Sequence, residues 1–416
     1  MASLGGADTV LDREQVLEFV RDQLAADAYD GRSVCVIVPD ATRSCPLPLL
    51  MEAVHGALHG RVSALTVLVA LGTHAPMDEE RLARHLGYDV GELAAAYPGM
   101  EVRNHEWHDP ATFVSLGTIE ADRVAELSGG RMTTPVEVRL NRAVVEHDVC
   151  LVVGPVFPHE VVGFSGGNKY FFPGVGGQEV IDASHWLGAL ITSAALIGTR
   201  GTTPVRALID EAARKVSSRR RALCVVVRSG TTDLHALSYG SPESAWAACA
   251  EVSADAHVTY LDAPVRRVVS VVPERYDDLW TGAKGFYKVE PVVADGGQVI
   301  LYAPHITEVA AMHPTVEKVG YHCRDYFLGQ WEQFRELPWG DLAHSTHLRG
   351  AGTWDPDHGE RDRVTVTLAT GIPEELTRRI GLDHLDPATV DLAAMRSDPE
   401  TLFVAEAGEV LYRLRE

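Results

Sequence analysis

Three short apolar runs constrain this chain more than anything else in it: SVCVIV (33–38), ALTVLVAL (64–71) and HDVCLVVGPV (147–156). Each is rich in β-branched residues and runs straight into a loop of polar residues or glycine. Continuous apolar character, in place of alternation, suits strands covered on both faces, so the runs predict a parallel sheet. Amphipathic patterns lie between them. DREQVLEFVRDQLA (12–25) opens on Asp12, an N-cap residue type, and PLPLLMEAVHGAL (46–58) and TPVRALIDEAARKV (203–216) repeat the three- and four-residue apolar spacing. Strand–loop–helix alternation implies a Rossmann-like α/β fold with right-handed crossovers.

After residue 262 the pattern restarts. RRVVSVVPE (266–274) reads as a strand, GAKGFYKVEPVVADG (282–296) as a helix and QVILYAPH (298–305) as the next strand, while the terminal TLFVAEAGEVLYRL reads as a hairpin around Ala407-Gly408. A length of 416 residues exceeds one ordinary core. The expected organisation is therefore an N-terminal α/β domain over 1–262 and a smaller C-terminal α/β domain over 263–416. LDAPVRR (261–267) marks the boundary, and the active site is expected in the interdomain cleft. No internal repeat or low-complexity tract interrupts this plan.

Apolar residues make up 46% of the chain, enough for packed interiors. The formal net charge of −21 repels phosphate backbones, which argues against a nucleic-acid partner. It also gives weight to any cation set in a glycine-rich loop, where an anionic substrate would need one. The six cysteines are scattered without a CxxC pair and read as buried free thiols. With no apolar leader and no run of eighteen apolar residues, the expectation is a cytoplasmic protein without a membrane partner.

In doubly wound sheets, ligands bind beyond the carboxyl ends of the strands. Asp40, Thr42, Arg43, Thr73, His74 and His159 all fall in such loops. Arg43, just after a buried run, can grip a carboxylate through two parallel hydrogen bonds. NHEWHDP (104–110) carries His105 and His108 three apart. GFSGGNK (163–169) resembles a P-loop only superficially: Asn168 precedes Lys169 and Tyr170 follows it, where that motif wants glycine and a hydroxyl residue. What survives is that glycine lets backbone amides approach a ligand closely. QEVIDASHW (178–186) reads as a helix bearing His185 on its first turns.

Together these loops resemble the lactate racemase family. The matching elements are PDATR (39–43), LGTHAPMDEE (71–80), NHEW (104–107), PHEVVGFSGGNKYFFPG (158–174), His185, IGTRGTTPVR (197–206) and AKG (283–285). The resemblance implies a nickel-pincer nucleotide, a pyridinium-3-thioamide-5-thiocarboxylic acid mononucleotide. It implies that Lys169 bonds the cofactor covalently and that His185 completes the nickel's coordination, with Asp40, Thr42, Ser165, Gly166 and Gly167 in the cofactor-binding loops. It implies further that Arg43 and Lys284 hold the substrate carboxylate, with Thr281 beside them, and that His105 and His159 are the acid–base pair. Cofactor-synthesis proteins follow as partners.

The chemistry explains the need for such parts. The hydrogen on a carbon next to a carboxylate is too weakly acidic to leave easily as a proton, so removing it as hydride avoids the carbanion. An imidazole titrating near neutrality takes the hydroxyl proton meanwhile. Several positions depart from the family pattern: Ala75 after GTH, Asn168 before the lysine, Tyr170 after it, and Thr281 in place of glutamine. The substrate expected is thus a 2-hydroxy acid other than lactate. Two other readings stand beside this one. The first is a zinc hydrolase or lyase using His105, His108 and His159; the second is a cofactor-binding protein without turnover.

Overall fold

The computed structural model describes residues 1–415. It divides into two compact units. The first comprises Met1–Phe157, Phe164–Ile181 and Arg200–Ala256; the second comprises Pro158–Gly163, Asp182–Thr199 and the chain from His257 onward. Segments 158–163 and 182–199, which a single cut near residue 262 assigns to the first unit, thus belong to the second.

In the first unit the three apolar runs form Ser33–Pro39, Ala64–Ala70 and Val149–Pro155. The seven-stranded sheet has the order Ala2–Gly5, Leu234–Gly240, Arg219–Val227, Val149–Pro155, Ser33–Pro39, Ala64–Ala70, Met100–Asn104. Its last five strands are parallel, and the two at the opposite edge are each antiparallel to their neighbours. Val34 through Val38 are fully buried, as an apolar strand covered on both faces should be. Flanking helices begin where the sequence supplies caps. Asp12 and Gln15 form a reciprocal capping box at Arg13–Ala26, and the Thr203 side chain accepts from the Arg206 amide at the start of Pro204–Ala213. The winding reverses between Val149–Pro155 and Ser33–Pro39, which makes their carboxyl ends a topological switch point.

The second unit holds a five-stranded, all-parallel sheet in the order Asp383–His384, Val364–Thr370, Val293–Ala303, Val265–Val271, Thr401–Val404. The expected terminal hairpin does not form. Thr401–Val404 pairs with Val265–Val271, whereas Leu411–Leu414 pairs with Val258–Leu261. Gly408, at φ +110°, packs so closely on the Tyr276 ring that a Cβ would come within 2.7 Å, and the chain is carried on to another strand there.

The helix expected over 282–296 is also corrected. Two four-residue turns, Leu279–Gly282 and Lys284–Tyr287, precede a 3-10 turn at Glu290–Val292, and the strand already begins at Val293. Gly282 and Gly285 press onto Ile306 and Leu301, where added Cβ atoms would sit at 2.7 and 3.0 Å. Pro291 lacks the amide that a continuous helix needs.

Tryptophans fix the 182–199 segment within the second unit. On helix Gln178–Ile191, Trp186 stacks on Trp331 at 5.1 Å, and Asp182 accepts the Gly340 amide at 2.8 Å. Replacing Trp186 by alanine should cost about 3–5 kcal/mol, as for other buried aromatic truncations. An unfolding midpoint in urea unchanged from the parent protein would count against this packing role.

Candidate functional site

The switch point is where the first unit concentrates its polar loops. Asp40, buried at the end of Ser33–Pro39, turns its carboxylate back on its own loop: Oδ1 accepts from the Thr42 amide at 3.0 Å and the Thr42 hydroxyl at 2.7 Å. Its Oδ2 meets Nδ1 of His74, from the loop after Ala64–Ala70. A carboxylate on Nδ1 fixes the ring's orientation. The His74 side chain keeps 28% of its surface exposed, and its carbonyl accepts from the Trp107 indole at 3.0 Å. Gly72, two residues earlier, donates to the Gly174 carbonyl at 2.9 Å, which ties the histidine loop to the lysine loop.

Lys169 lies in the 3-10 turn Gly167–Tyr170 and is half-buried. Gly166 and Gly167 take φ values of +86° and +59°, which favour glycine. The neighbours that would meet a Cβ there belong to the protein: Val156 Cγ2 at 2.7 Å from position 166 and Trp246 Cβ at 2.7 Å from position 167. Ser165 closes this loop through Phe157, its amide donating to the Phe157 carbonyl at 2.8 Å and its hydroxyl accepting the Phe157 amide at 3.0 Å. Beneath the lysine, the Tyr170 hydroxyl rests on Gly154, where a Cβ would be 1.9 Å away. Burial pushes this phenol well above its usual range; Asp40 adds to the shift and Arg43 opposes it.

Asn168 anchors the turn. Its amide nitrogen donates to Asp210 and Glu243, both at 2.9 Å, and its oxygen accepts from Arg220 at 2.8 Å. Arg206, fully buried, stacks over Trp246 at 4.1 Å and donates to the Gly166 carbonyl at 3.0 Å and the Phe164 carbonyl at 2.5 Å. This two-arginine, two-carboxylate network joins residues far apart in the chain.

His105 is placed differently from His74. Its Nδ1 lies 3.0 Å from the Asn141 amide nitrogen, a donor whose own oxygen takes the Ala143 amide, and its Nε2 is buried without a protein partner. Burial holds the imidazole down to about 4; the Gly176 carbonyl opposes this and His108 adds slightly to it. His108 itself is exposed. A cavity of about 550 Å³ opens beside this histidine's loop, lined by Asn104, Glu106, Asp109 and Asn141 among others.

The second unit carries the remaining expected residues. His159 is buried, with Nδ1 accepting the Val161 amide at 3.2 Å, and Glu160 Oε2 lies 3.2 Å from the same nitrogen. The Lys288 amine donates to the adjacent Pro158 carbonyl. His185 is half-buried on the helix that Trp186 and Asp182 fix. Lys284 is buried, its amine 4.7 Å from the Tyr276 ring centre. The Thr281 hydroxyl donates to Asp278 Oδ1 at 2.9 Å, in the cap of its own helical turn, so its proton is already committed.

Among the described residues no group of three or more His, Cys, Asp or Glu side chains is disposed to hold a metal ion. A cofactor that brings its own metal donors asks the protein for one ligand, and a half-buried imidazole such as His185 fits that requirement.

The buried imidazoles give a pH signature. His347, like His105, is held down to about 4 by burial. A histidine depressed in the folded state binds its proton more readily once unfolded, so stability is full above about pH 6.5 and is lost from there toward pH 4. Thermal unfolding midpoints should fall across that window, and His347→Gln should make the fall shallower. An identical pH slope in the variant would refute the assignment.

The sequence placed Asp40 and His74 in ligand loops but not against each other, since the two loops meet only across neighbouring strands. The part Arg206 plays in holding the lysine loop was not read from the sequence at all.

Comparison with known proteins gives the chain's relatives. Residues 14–198 match the model of the lactate racemase N-terminal domain. The lactate racemase of Thermoanaerobacterium thermosaccharolyticum is 24% identical over 282 residues, 67% of this chain and 61% of that protein. That of Lactiplantibacillus plantarum is 26% identical over 168 residues, 39% of this chain and 35% of that one. The chain thus spans about three fifths or less of the length of the curated relatives it matches. Among solved structures, a Thermotoga maritima protein from a structural genomics programme is 32% identical with a TM-score of 0.91, covering 99% of this chain and 100% of its own. The T. thermosaccharolyticum lactate racemase apoprotein shares the fold, with a TM-score of 0.71 at 18% identity over 98% of this chain and 94% of that one.

Proposed function

We propose that this chain, which belongs to the lactate racemase family, is a racemase or epimerase that inverts the hydroxyl-bearing carbon of a 2-hydroxy acid. The observation that carries the reading is the tie between the Asp40–His74 pair and the Lys169 turn at the sheet's switch point. When bound, a nickel-pincer nucleotide supplies the hydride acceptor that this chemistry needs. Lys169 would hold that nucleotide covalently and His185 would ligate its nickel.

The chain's own residues do the rest. Arg43 and Lys284 would hold the substrate carboxylate, the arginine as a planar fork and the lysine as a point charge. An imidazole must take the hydroxyl proton from one enantiomer, and a second must return it for the other. His159 is assigned one of these roles. For the other, the sequence pointed to His105, but the geometry favours His74. His74 is oriented through Nδ1 by a carboxylate and partly open, whereas a donor already occupies Nδ1 of His105 and burial covers its Nε2.

His74→Gln should therefore lower turnover about 10²- to 10⁴-fold with the cofactor retained. His105→Gln should act mainly on stability. The reverse ranking, read by chiral chromatography of product, would restore the earlier assignment. The metal role has its own check. His185→Ala should lose nickel while the organic adduct on Lys169 remains, as intact mass and metal analysis would show; full nickel retention would overturn it.

A further inference from the structure

Among the described residues, Thr192 is the one non-glycine residue with a positive φ. At φ +97° and ψ +142° it holds a conformation that glycine adopts freely and a β-branched residue adopts only under strain. Such a residue persists where its surroundings leave the chain no alternative, so the ties around it show what the strain is kept for.

Thr192 joins helix Gln178–Ile191, which carries His185, to the short turn Ser193–Leu196. Its amide donates back to the Gly188 carbonyl at 2.9 Å, and its carbonyl accepts the Leu196 amide at 3.1 Å. Two contacts then tie this stretch to helix Trp339–Arg349. Asp182, three residues before His185, accepts the Gly340 amide at 2.8 Å. The buried Ser193 hydroxyl lies 2.5 Å from Nδ1 of buried His347. The His185 segment is thereby fastened to one helix from both of its sides.

Beyond the turn, the chain reaches the segment that carries His159. The Gly198 amide donates to the Gly163 carbonyl at 2.9 Å, and Arg413 donates to the carbonyl of fully buried Ile197 at 2.8 Å. Gly188 packs on Val161, where a Cβ would stand 3.0 Å from Cγ1 and 3.2 Å from Cα. Val161 is the residue whose amide meets Nδ1 of His159. A relaxed backbone at Thr192 would redirect the chain, and Ser193, Ile197 and Gly198 could not all keep these partners.

We propose that the Thr192–Ser193 turn is a strained clasp that sets His185 and His159 in a fixed relation, closed by the Ser193–His347 hydrogen bond. Thr192 and Ser193 are positioning residues: they act through the two histidines. The inference rests on the racemase reading for the roles of those histidines. Strain makes the clasp cooperative. Once the Ser193–His347 bond is lost, the threonine relaxes and both segments loosen together.

The test crosses Ser193→Ala with Thr192→Gly, first in apoprotein. Thr192→Gly should raise the urea midpoint, because relief of strain exceeds glycine's added freedom in the unfolded chain. Thr192→Ala keeps the Cβ and should gain little. Ser193→Ala should speed hydrogen exchange of the Pro158–Gly163 and Asp182–Thr199 amides about tenfold, the value of one hydrogen bond, and by less than about threefold in the Thr192→Gly background. In protein co-expressed with the cofactor-synthesis enzymes, Ser193→Ala should lower nickel affinity about tenfold, as for other residues that orient a metal ligand. A Thr192→Gly midpoint at or below wild type, a Ser193→Ala exchange effect of equal size in both backgrounds, or nickel affinity unmoved in Ser193→Ala would overturn the clasp. Wild type without nickel or adduct would count against the racemase reading alone, since the exchange pattern in apoprotein still supports or overturns the clasp.

Discussion

Lys169→Ala should leave the protein folded, free of any covalent adduct on the 163–174 peptide, and without detectable inversion of any 2-hydroxy acid. The effect is expected to be the largest of all. Without a tethered hydride acceptor the reaction falls back toward its uncatalysed rate, a loss of at least about 10⁶-fold on the usual scale of enzymatic acceleration. Folding should survive because the side chain is only half-buried, while the turn is pinned by backbone bonds from Lys169 N to the Gly166 carbonyl and from Gly174 N to the Lys169 carbonyl. Lys169→Arg separates tether from charge: it keeps the cation but cannot form the same amide-type bond, and should be equally inactive. An adduct persisting in either variant, by intact mass, would sink the tether.

Arg206→Met should give the largest loss of stability, about 3–5 kcal/mol, because it removes one partner of a buried ionic network. The guanidinium is fully buried, and desolvation brings it down to about 10 even though Asp210, Cys224 and Glu243 pull the other way. Methionine can fill the space over Trp246. It cannot replace the donors to the Gly166 and Phe164 carbonyls, nor the charge facing Asp210. Arg206→Lys keeps the charge but not the planar fork and should fall between the two. Urea unfolding reads the outcome, and a midpoint equal to wild type would mean the network contributes nothing. The loop that carries Lys169 hangs on these donors, so adduct yield should fall with stability.

Much of the first unit was legible because its signals are local. A fully apolar run such as SVCVIV can be satisfied only by cover on both faces, and Asp12 with Gln15 caps its helix whatever the rest of the chain does. The convergence of PDATR, GTH and GFSGGNK was legible too, since parallel strands deliver their following loops to one edge. The second unit was harder. TLFVAEAGEVLYRL has every mark of a hairpin, and GAKGFYKVEPVVADG has helical spacing. In both, close glycine contacts with Tyr276, Ile306 and Leu301 override local preference.

The sequence by itself determined the parallel sheets, the caps, the polar loops gathered at one sheet edge and the family resemblance they carry. Those properties depend on residues close together in the chain, where periodicity and side-chain type suffice. Only the tertiary structure decided that His74 and not His105 stands against a carboxylate, that Thr281 is spent on Asp278, and that Asn168 answers to Asp210, Glu243 and Arg220. The His74 and Asn168 pairings join groups tens of residues apart, and whether a buried polar atom finds a partner is fixed by packing across strands, which no local pattern records.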